Sequence, residues 1–251
     1  MRHRLITAYF IILVGVTSIP FYILNLILRI LTGFFDRKLQ IIHMVTCFWG
    51  SLYTYLMPMW KIRTSGRENI RRNACYMVVC NHQSQLDILV AFRLYFHYKF
   101  VSKAEIFRVP LIGWNMVLNR YIRLNRGDKS SVEKMMQDCE RTLDEGSSVF
   151  FFPEGTRSKD GKIKDFKTGA FILAKKKKVP ILPIVVRGTG EALPKYVMKT
   201  EGVHQIRMRV LPEIPYEQFE NLTLEETISR VRDVMIQGLA NLEEDFTKER
   251  P

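Results

Sequence analysis

Hydrophobic and polar positions divide the chain into two unlike parts. From Leu5 to Leu28 no side chain carries a charge, and a second uncharged stretch runs from Leu39 to Trp60. The first is long enough to cross a hydrocarbon core of roughly 30 Å as a helix. Pro20 predicts a kink within it. The link RILTGFFDRK, with Gly33 and Asp36, predicts a turn, so the pattern is that of two apolar helices joined head to tail. Apolar runs in globular cores seldom continue so long without a charge, which argues against two ordinary core helices.

Arg and Lys flank these runs on every side: Arg2 and Arg4, then Arg29, Arg37 and Lys38, then Lys61, Arg63 and Arg67. A spanning helix normally leaves one flank poor in such residues. A monotopic or re-entrant pair, with all its ends at the anionic cytoplasmic leaflet, fits this distribution, and spanning stays open beside it. A cleaved signal peptide is the weaker reading, because no A-x-A site follows the first run and a second apolar run does. Residues 1–62 are expected to form a membrane-associated helix pair, and residues 63–251 a separate domain.

Beyond the basic stretch KIRTSGRENIRR, short apolar runs alternate with amphipathic ones. Tyr76–Cys80, Lys99–Ser102, Ser147–Phe152, Ile181–Val186 and Ile206–Leu211 read as strands, the last an edge strand by its alternating charges. Asp87–Tyr95, Ser130–Asp144, Gly169–Lys176 and Leu224 to about Phe246 read as helices. Strands separated by helices predict an α/β fold, a mostly parallel sheet flanked by helices. Chemistry then belongs in loops at the carboxyl ends of the strands.

Charge narrows the partners without choosing one. Lys and Arg number 38 against 25 Asp and Glu, a formal charge of +13, so the surface attracts anions: nucleic acid, lipid headgroups or a phosphorylated substrate. A hydrophobic content of 47% excludes a disordered coating protein. Four cysteines without a CxxC pair predict free thiols in a reducing compartment. Five scattered histidines with no ligand-like spacing predict no catalytic metal.

Two loops concentrate the candidate chemistry. NHQSQLD, Asn81 to Asp87, follows the strand YMVVC, and PEGTRSK follows SSVFFF; if these strands are neighbours, both loops face one cleft. A histidine near neutral pKa can take a proton from a hydroxyl, so His82 is a candidate general base and Asp87 its orienting acid. An equally physical reading makes Ser84 an N-cap and Asp87 its capping-box partner, with no chemistry. Ser84 beside a histidine is also a candidate nucleophile, which keeps a lipid hydrolase open. In the second loop Arg157 offers a fork of donors to a phosphate, Gly155 permits close approach, and Glu154 is expected to pair with Arg157 and shape the loop. Lys103 and Arg126 are further cations at strand or loop ends. A basic protein without enzymatic activity, binding nucleic acid or anionic membranes, is the third reading; the two apolar runs argue against nucleic acid.

Taken together, four stretches resemble the glycerolipid acyltransferase family, most closely the 1-acyl-sn-glycerol-3-phosphate acyltransferases. Asn81, His82 and Asp87 meet its NHxxxxD motif. Phe152 to Arg157 meets FPEGTR, with FKTGAF following, and Val179 to Pro183 resembles a VPI-x-P segment. In Asn119 to Arg126 the match is looser: Arg126 falls at the motif's arginine, but Arg120 stands near a position where the family has a small residue. The resemblance covers about Tyr76 to Pro212 and implies a glycerol-3-phosphate acyltransferase-like fold. It implies His82 as general base with Asp87 behind it, and Lys103, Arg126, Glu154, Gly155, Thr156 and Arg157 as substrate-binding residues. The implied reaction moves an acyl chain from acyl-CoA or acyl carrier protein to the sn-2 hydroxyl of lysophosphatidate at a membrane surface, without a cofactor or metal; transfer to another lysophospholipid is the alternative.

Overall fold

The computed structural model of the chain describes residues 2–194 and 202–248. Both apolar runs are helical, α1 (Arg2–Thr32) and α2 (Gln40–Leu56). In the link between them the two oxygens of Asp36 accept from the Gln40 and Ile41 N–H groups, at 2.9 and 2.8 Å. They satisfy donors that no helical carbonyl can reach.

The two helices, alike in sequence, have different surroundings. α2 is 17 residues long, and Ile42, His43, Cys47 and Ser51 are fully buried on its inner face. α1 leaves Ile12, Val16, Ile23, Ile27 and Ile30 exposed. Among the described residues Leu5–Thr32 is the one segment long and apolar enough to cross a membrane. A buried polar knot fixes which side of α1 faces the protein. Asn25 Nδ2 donates to Asn115 Oδ1 at 2.7 Å and to Thr46 Oγ1 at 3.2 Å, and Asn119 Nδ2 reaches the same Thr46 oxygen at 3.0 Å. Buried amides and hydroxyls that meet one another away from water are costly to separate, so the knot specifies one orientation.

Seven strands form one sheet: β1 (Trp60–Ser65), β2 (Met77–Cys80), β3 (Tyr98–Lys103), β4 (Ile122–Leu124), β5 (Ser148–Phe151), β6 (Ile181–Arg187) and β7 (His204–Val210). Their order is β1-β7-β6-β2-β5-β3-β4, and every pairing is parallel except β6 with β7. One face packs on α2, α3 (Leu86–Phe92) and α4 (Ile112–Leu118) through Val78, Cys80, Tyr98, Phe100 and Phe150. The other packs on α5 (Lys129–Asp144), α6 (Gly169–Lys177) and, beyond the short α7 (Thr189–Ala192), the long α8 (Leu224–Lys248) through Met77, Val79, Val149 and Val185. Strands buried on both faces read as continuous apolar runs, which is why β2, β5 and β6 were predictable. At the start of α8, Thr223 and Glu226 exchange side-chain bonds to each other's N–H, at 3.2 and 2.7 Å, as a capping box.

The predicted edge at Ile206–Leu211 is corrected. β7 lies inside the sheet, paired with β1 on one side and β6 on the other. Ile206, Met208 and Val210 are buried, and so is Arg207, while His204, Gln205 and Arg209 stay partly open; the alternation of charge along the strand says nothing of whether neighbours exist. The edges are β1 and β4. β1 was hidden within a basic stretch, since only alternate residues of WKIRTS are covered, and β4 has only three residues.

Candidate active site

β2 and β5 are adjacent and parallel, with Val79 level with Phe151, so the loops after them emerge side by side. Asn81 ties the first in place: its side chain donates to Val186 O and accepts from Val186 N, at 2.9 and 2.8 Å, extending the β2–β6 pairing by one side-chain rung. The second loop holds the first through Glu154. One oxygen accepts from the His82 N–H at 2.8 Å and the other from the Lys164 N–H at 3.1 Å, and Ser158 N donates to His82 O at 2.7 Å. Burial raises the Glu154 pKa against the lowering effect of these bonds.

Between the loops stands His82. Its Nδ1 lies 2.7 Å from Asp87 Oδ2, and the same oxygen accepts from Gln83 N at 2.7 Å and Ser84 N at 2.9 Å. Five residues separate the pair in sequence; they meet because the chain turns tightly before α3, and the backbone bonds to Asp87 hold that turn. A carboxylate can only accept, so Nδ1 carries the proton and the Nε2 lone pair is left for a substrate. Asp87 is fully buried and the His82 side chain 12% exposed. The imidazole stacks on Phe152 with ring centres 4.1 Å apart, which restricts its rotation. One Asp87 oxygen thus meets both the imidazole and the backbone before the helix, so the two readings do not exclude each other, while the N-cap position itself falls at Gln85 and not at Ser84.

Ser84 is placed differently from a nucleophile. Its hydroxyl is buried, donates to Leu193 O at 2.6 Å and accepts from Leu86 N at 3.2 Å. The expected Glu154–Arg157 pair is also absent among the described residues. The short reach of a glutamate is taken up by two backbone amides, and Arg157 stays half-buried in its own loop, its carbonyl accepting from Lys164 Nζ at 3.1 Å. Lys164, ten residues beyond Glu154, was not singled out from sequence, since one lysine among several in KDGKIKDFK carries no local signal.

The remaining cations follow from strand order. Reading outward from β2, the strands β5, β3 and β4 run in the same direction. Their carboxyl ends carry Gly155, Thr156 and Arg157, then Lys103, then Arg126, at roughly 4.8 Å per strand. Lys103 is half exposed and pairs with Glu105 at 2.7 Å; Arg126 is exposed. Gly155 has φ 68°, a left-handed conformation that glycine adopts at little cost. Arg120 has φ 53°, a left-handed conformation that a residue with a side chain adopts rarely.

A buried carboxylate–imidazole pair with an open nitrogen, beside a row of cations at the carboxyl edge of an α/β sheet, is an arrangement able to accept a proton and to attract an anion. Comparison with known proteins gives the family. Residues 61–187 match the family model described as Acyltransferase, and the chain belongs to that family. It is 40% identical over 179 residues to a 1-acyl-sn-glycerol-3-phosphate acyltransferase of Chlamydomonas reinhardtii, covering 70% of this chain and 53% of that protein. It is 39% identical over 196 residues to a chloroplastic 1-acyl-sn-glycerol-3-phosphate acyltransferase of Brassica napus, covering 77% and 56%. The chain thus spans about half the length of these curated relatives. The crystal structure of the 1-acyl-sn-glycerophosphate (LPA) acyltransferase PlsC from Thermotoga maritima superposes with a TM-score of 0.82 at 25% identity, over 96% of each chain.

Proposed function

We propose that the chain transfers an acyl group from a thioester, acyl-CoA or acyl carrier protein, to the sn-2 hydroxyl of 1-acyl-sn-glycerol 3-phosphate, giving phosphatidic acid. The observation that carries the reading is the His82–Asp87 pair, 2.7 Å apart, with Nε2 open beside the FPEGTR loop. The names of the relatives supply the substrate.

In this mechanism His82 Nε2 removes the hydroxyl proton as the oxygen attacks the thioester carbonyl, and buried Asp87 stabilises the imidazolium that forms. The carbon–sulfur bond then breaks, and the imidazolium returns its proton to the departing thiolate. The N–H groups of Thr156 and Arg157 make no hydrogen bond to other described residues, and they are assigned to the oxyanion of the tetrahedral intermediate. Arg157 and Lys103, at the ends of the strands β5 and β3, hold the substrate phosphate, with Arg126 at the outer end of the row. The reaction uses no cofactor or metal, because the thioester already carries the driving force. The exposed apolar face of α1 lies in the cytoplasmic leaflet, so an acyl chain enters the cleft without crossing water, which would otherwise cost about 0.8 kcal/mol per methylene.

The test is release of free thiol from acyl-CoA by the detergent-purified chain, expected only when lysophosphatidate is present. His82→Ala should abolish it while leaving the fold intact. Robust turnover by that variant would refute the base assignment. Ser84→Ala should retain transfer, and a covalent acyl group trapped on Ser84 would move the protein to the hydrolase reading.

A further inference from the structure

Away from His82 the structure holds a cavity of about 880 Å³ beside the edge strand β4. That volume lies in the range of small-molecule sites. Arg37 and Lys38 from the α1–α2 link, Lys99 on β3, Arg120 and Arg123 around β4 and Arg141 on α5 line it. Two carboxylates are also present, Glu145 and Asp138, the latter engaged by Arg141 at 2.7 Å.

Lys99 is the feature that surface charge does not explain. It is only 4% exposed, and its Nζ has no hydrogen-bond partner among the described residues. A buried ammonium without a partner is strongly disfavoured, and burial lowers its pKa to about 7. An anion in the cavity would satisfy it. The guanidinium groups of Arg37, Arg120 and Arg123 in the same wall present the donor forks that match phosphate oxygens, and a concavity of this size does not admit a nucleic-acid duplex.

The site is separate from the catalytic turn. Lys99 pairs at the level of Val149, as does Met77, so His82 lies five residues further along the strand direction and two strands away, roughly 15–20 Å in all. We propose that this cavity is a second anion site that takes a phosphomonoester, with the Lys99 ammonium at its base. Two sources share that chemistry. One is the headgroup of a leaflet lipid such as phosphatidate, which fits the exposed Phe34 and Phe35 on the link and Val117 in the cavity wall. The other is the 3′-phosphate of the CoA donor.

Calorimetric titration of the full chain in neutral detergent tests this, in an Arg157→Ala background so that the loop after β5 does not contribute. Inorganic phosphate probes the shared chemistry. CoA against dephospho-CoA probes the nucleotide source, and short-chain phosphatidate against phosphatidylglycerol the lipid source. Lys99→Met keeps the buried stem and should weaken phosphate binding about tenfold or more. Lys134→Gln, an exposed change on the cavity wall, should weaken it a few-fold without affecting folding. A preference for CoA or for phosphatidate over its control that Lys99→Met removes supports the proposal and names the source, and a preference that Lys99→Met leaves intact belongs to the catalytic cleft and overturns it. Unchanged binding in both variants, or no preference in either pair, overturns it. Acyl transfer by the chain with Arg157 intact is measured separately, and its absence would remove the catalytic reading without touching the cavity.

Discussion

One carboxylate oxygen, Asp87 Oδ2, receives the His82 imidazole and the N–H groups of Gln83 and Ser84. Asp87→Asn offers an amide in place of an acceptor pair, and the ring loses the partner that sets its tautomer. A fall in kcat of about 10⁴ is expected from the comparable triad substitution, with about 1–3 kcal/mol lost on denaturant unfolding. Near-wild-type kcat would show that Asp87 serves the helix start alone. Lys99 gives a second prediction at this scale. With a folded pKa of about 7 against an ordinary 10.5, the unfolded chain holds this proton over the interval between them and the folded chain does not. Stability should therefore rise with pH from about 7 to about 10, by on the order of a few kcal/mol. Asp36 and Glu145 favour the charged form, and Arg120 and Arg29 oppose it. Unfolding midpoints across this range should rise in the wild type and flatten in Lys99→Met.

At the scale of elements, what matters is how closely helices approach. Gly50 on α2 faces the Phe92 ring on α3, and an added Cβ would collide with that ring. Gly50→Ala should destabilise by about 1–3 kcal/mol by forcing the helices apart, and an unchanged unfolding midpoint would show that α2 is loosely docked. Much of this scale was legible in advance. The buried strands carried continuous apolar runs, and α5, α6 and α8 were bounded almost to the residue. α4 and β4 escaped notice, because IGWNMVL and IRL are too short for any periodicity to stand out. β1 escaped because a half-covered edge strand rich in Arg and Lys has the composition of a surface loop.

For the whole molecule the decisive feature is the apolar surface that α1 leaves open. Ile23 and Ile27 are 49% and 47% exposed. Replacing both with Asp should weaken partition into phosphatidylglycerol-containing vesicles by at least about 2 kcal/mol, while turnover of a micellar, short-chain acceptor persists. Equal sedimentation of the variant and the wild type with vesicles would exclude α1 as the attachment face. The charge of +13 adds an attraction that salt should screen.

The sequence alone determined the features that are written locally. These are the apolar runs, the helix and strand periods, the basic balance, and the order and spacing of NHxxxxD and FPEGTR with the family they resemble. Only the tertiary structure decided which strands are neighbours, and with that everything that depends on two distant segments meeting. It set Glu154 to carry the backbone of His82 instead of Arg157, drew Ser84 to the Leu193 carbonyl, separated a core-bound α2 from an open α1, and gathered a cationic cavity around Lys99. Side-chain periodicity reports what each segment buries; the partner it buries against is set by strand order and by the free energy of the whole packed arrangement.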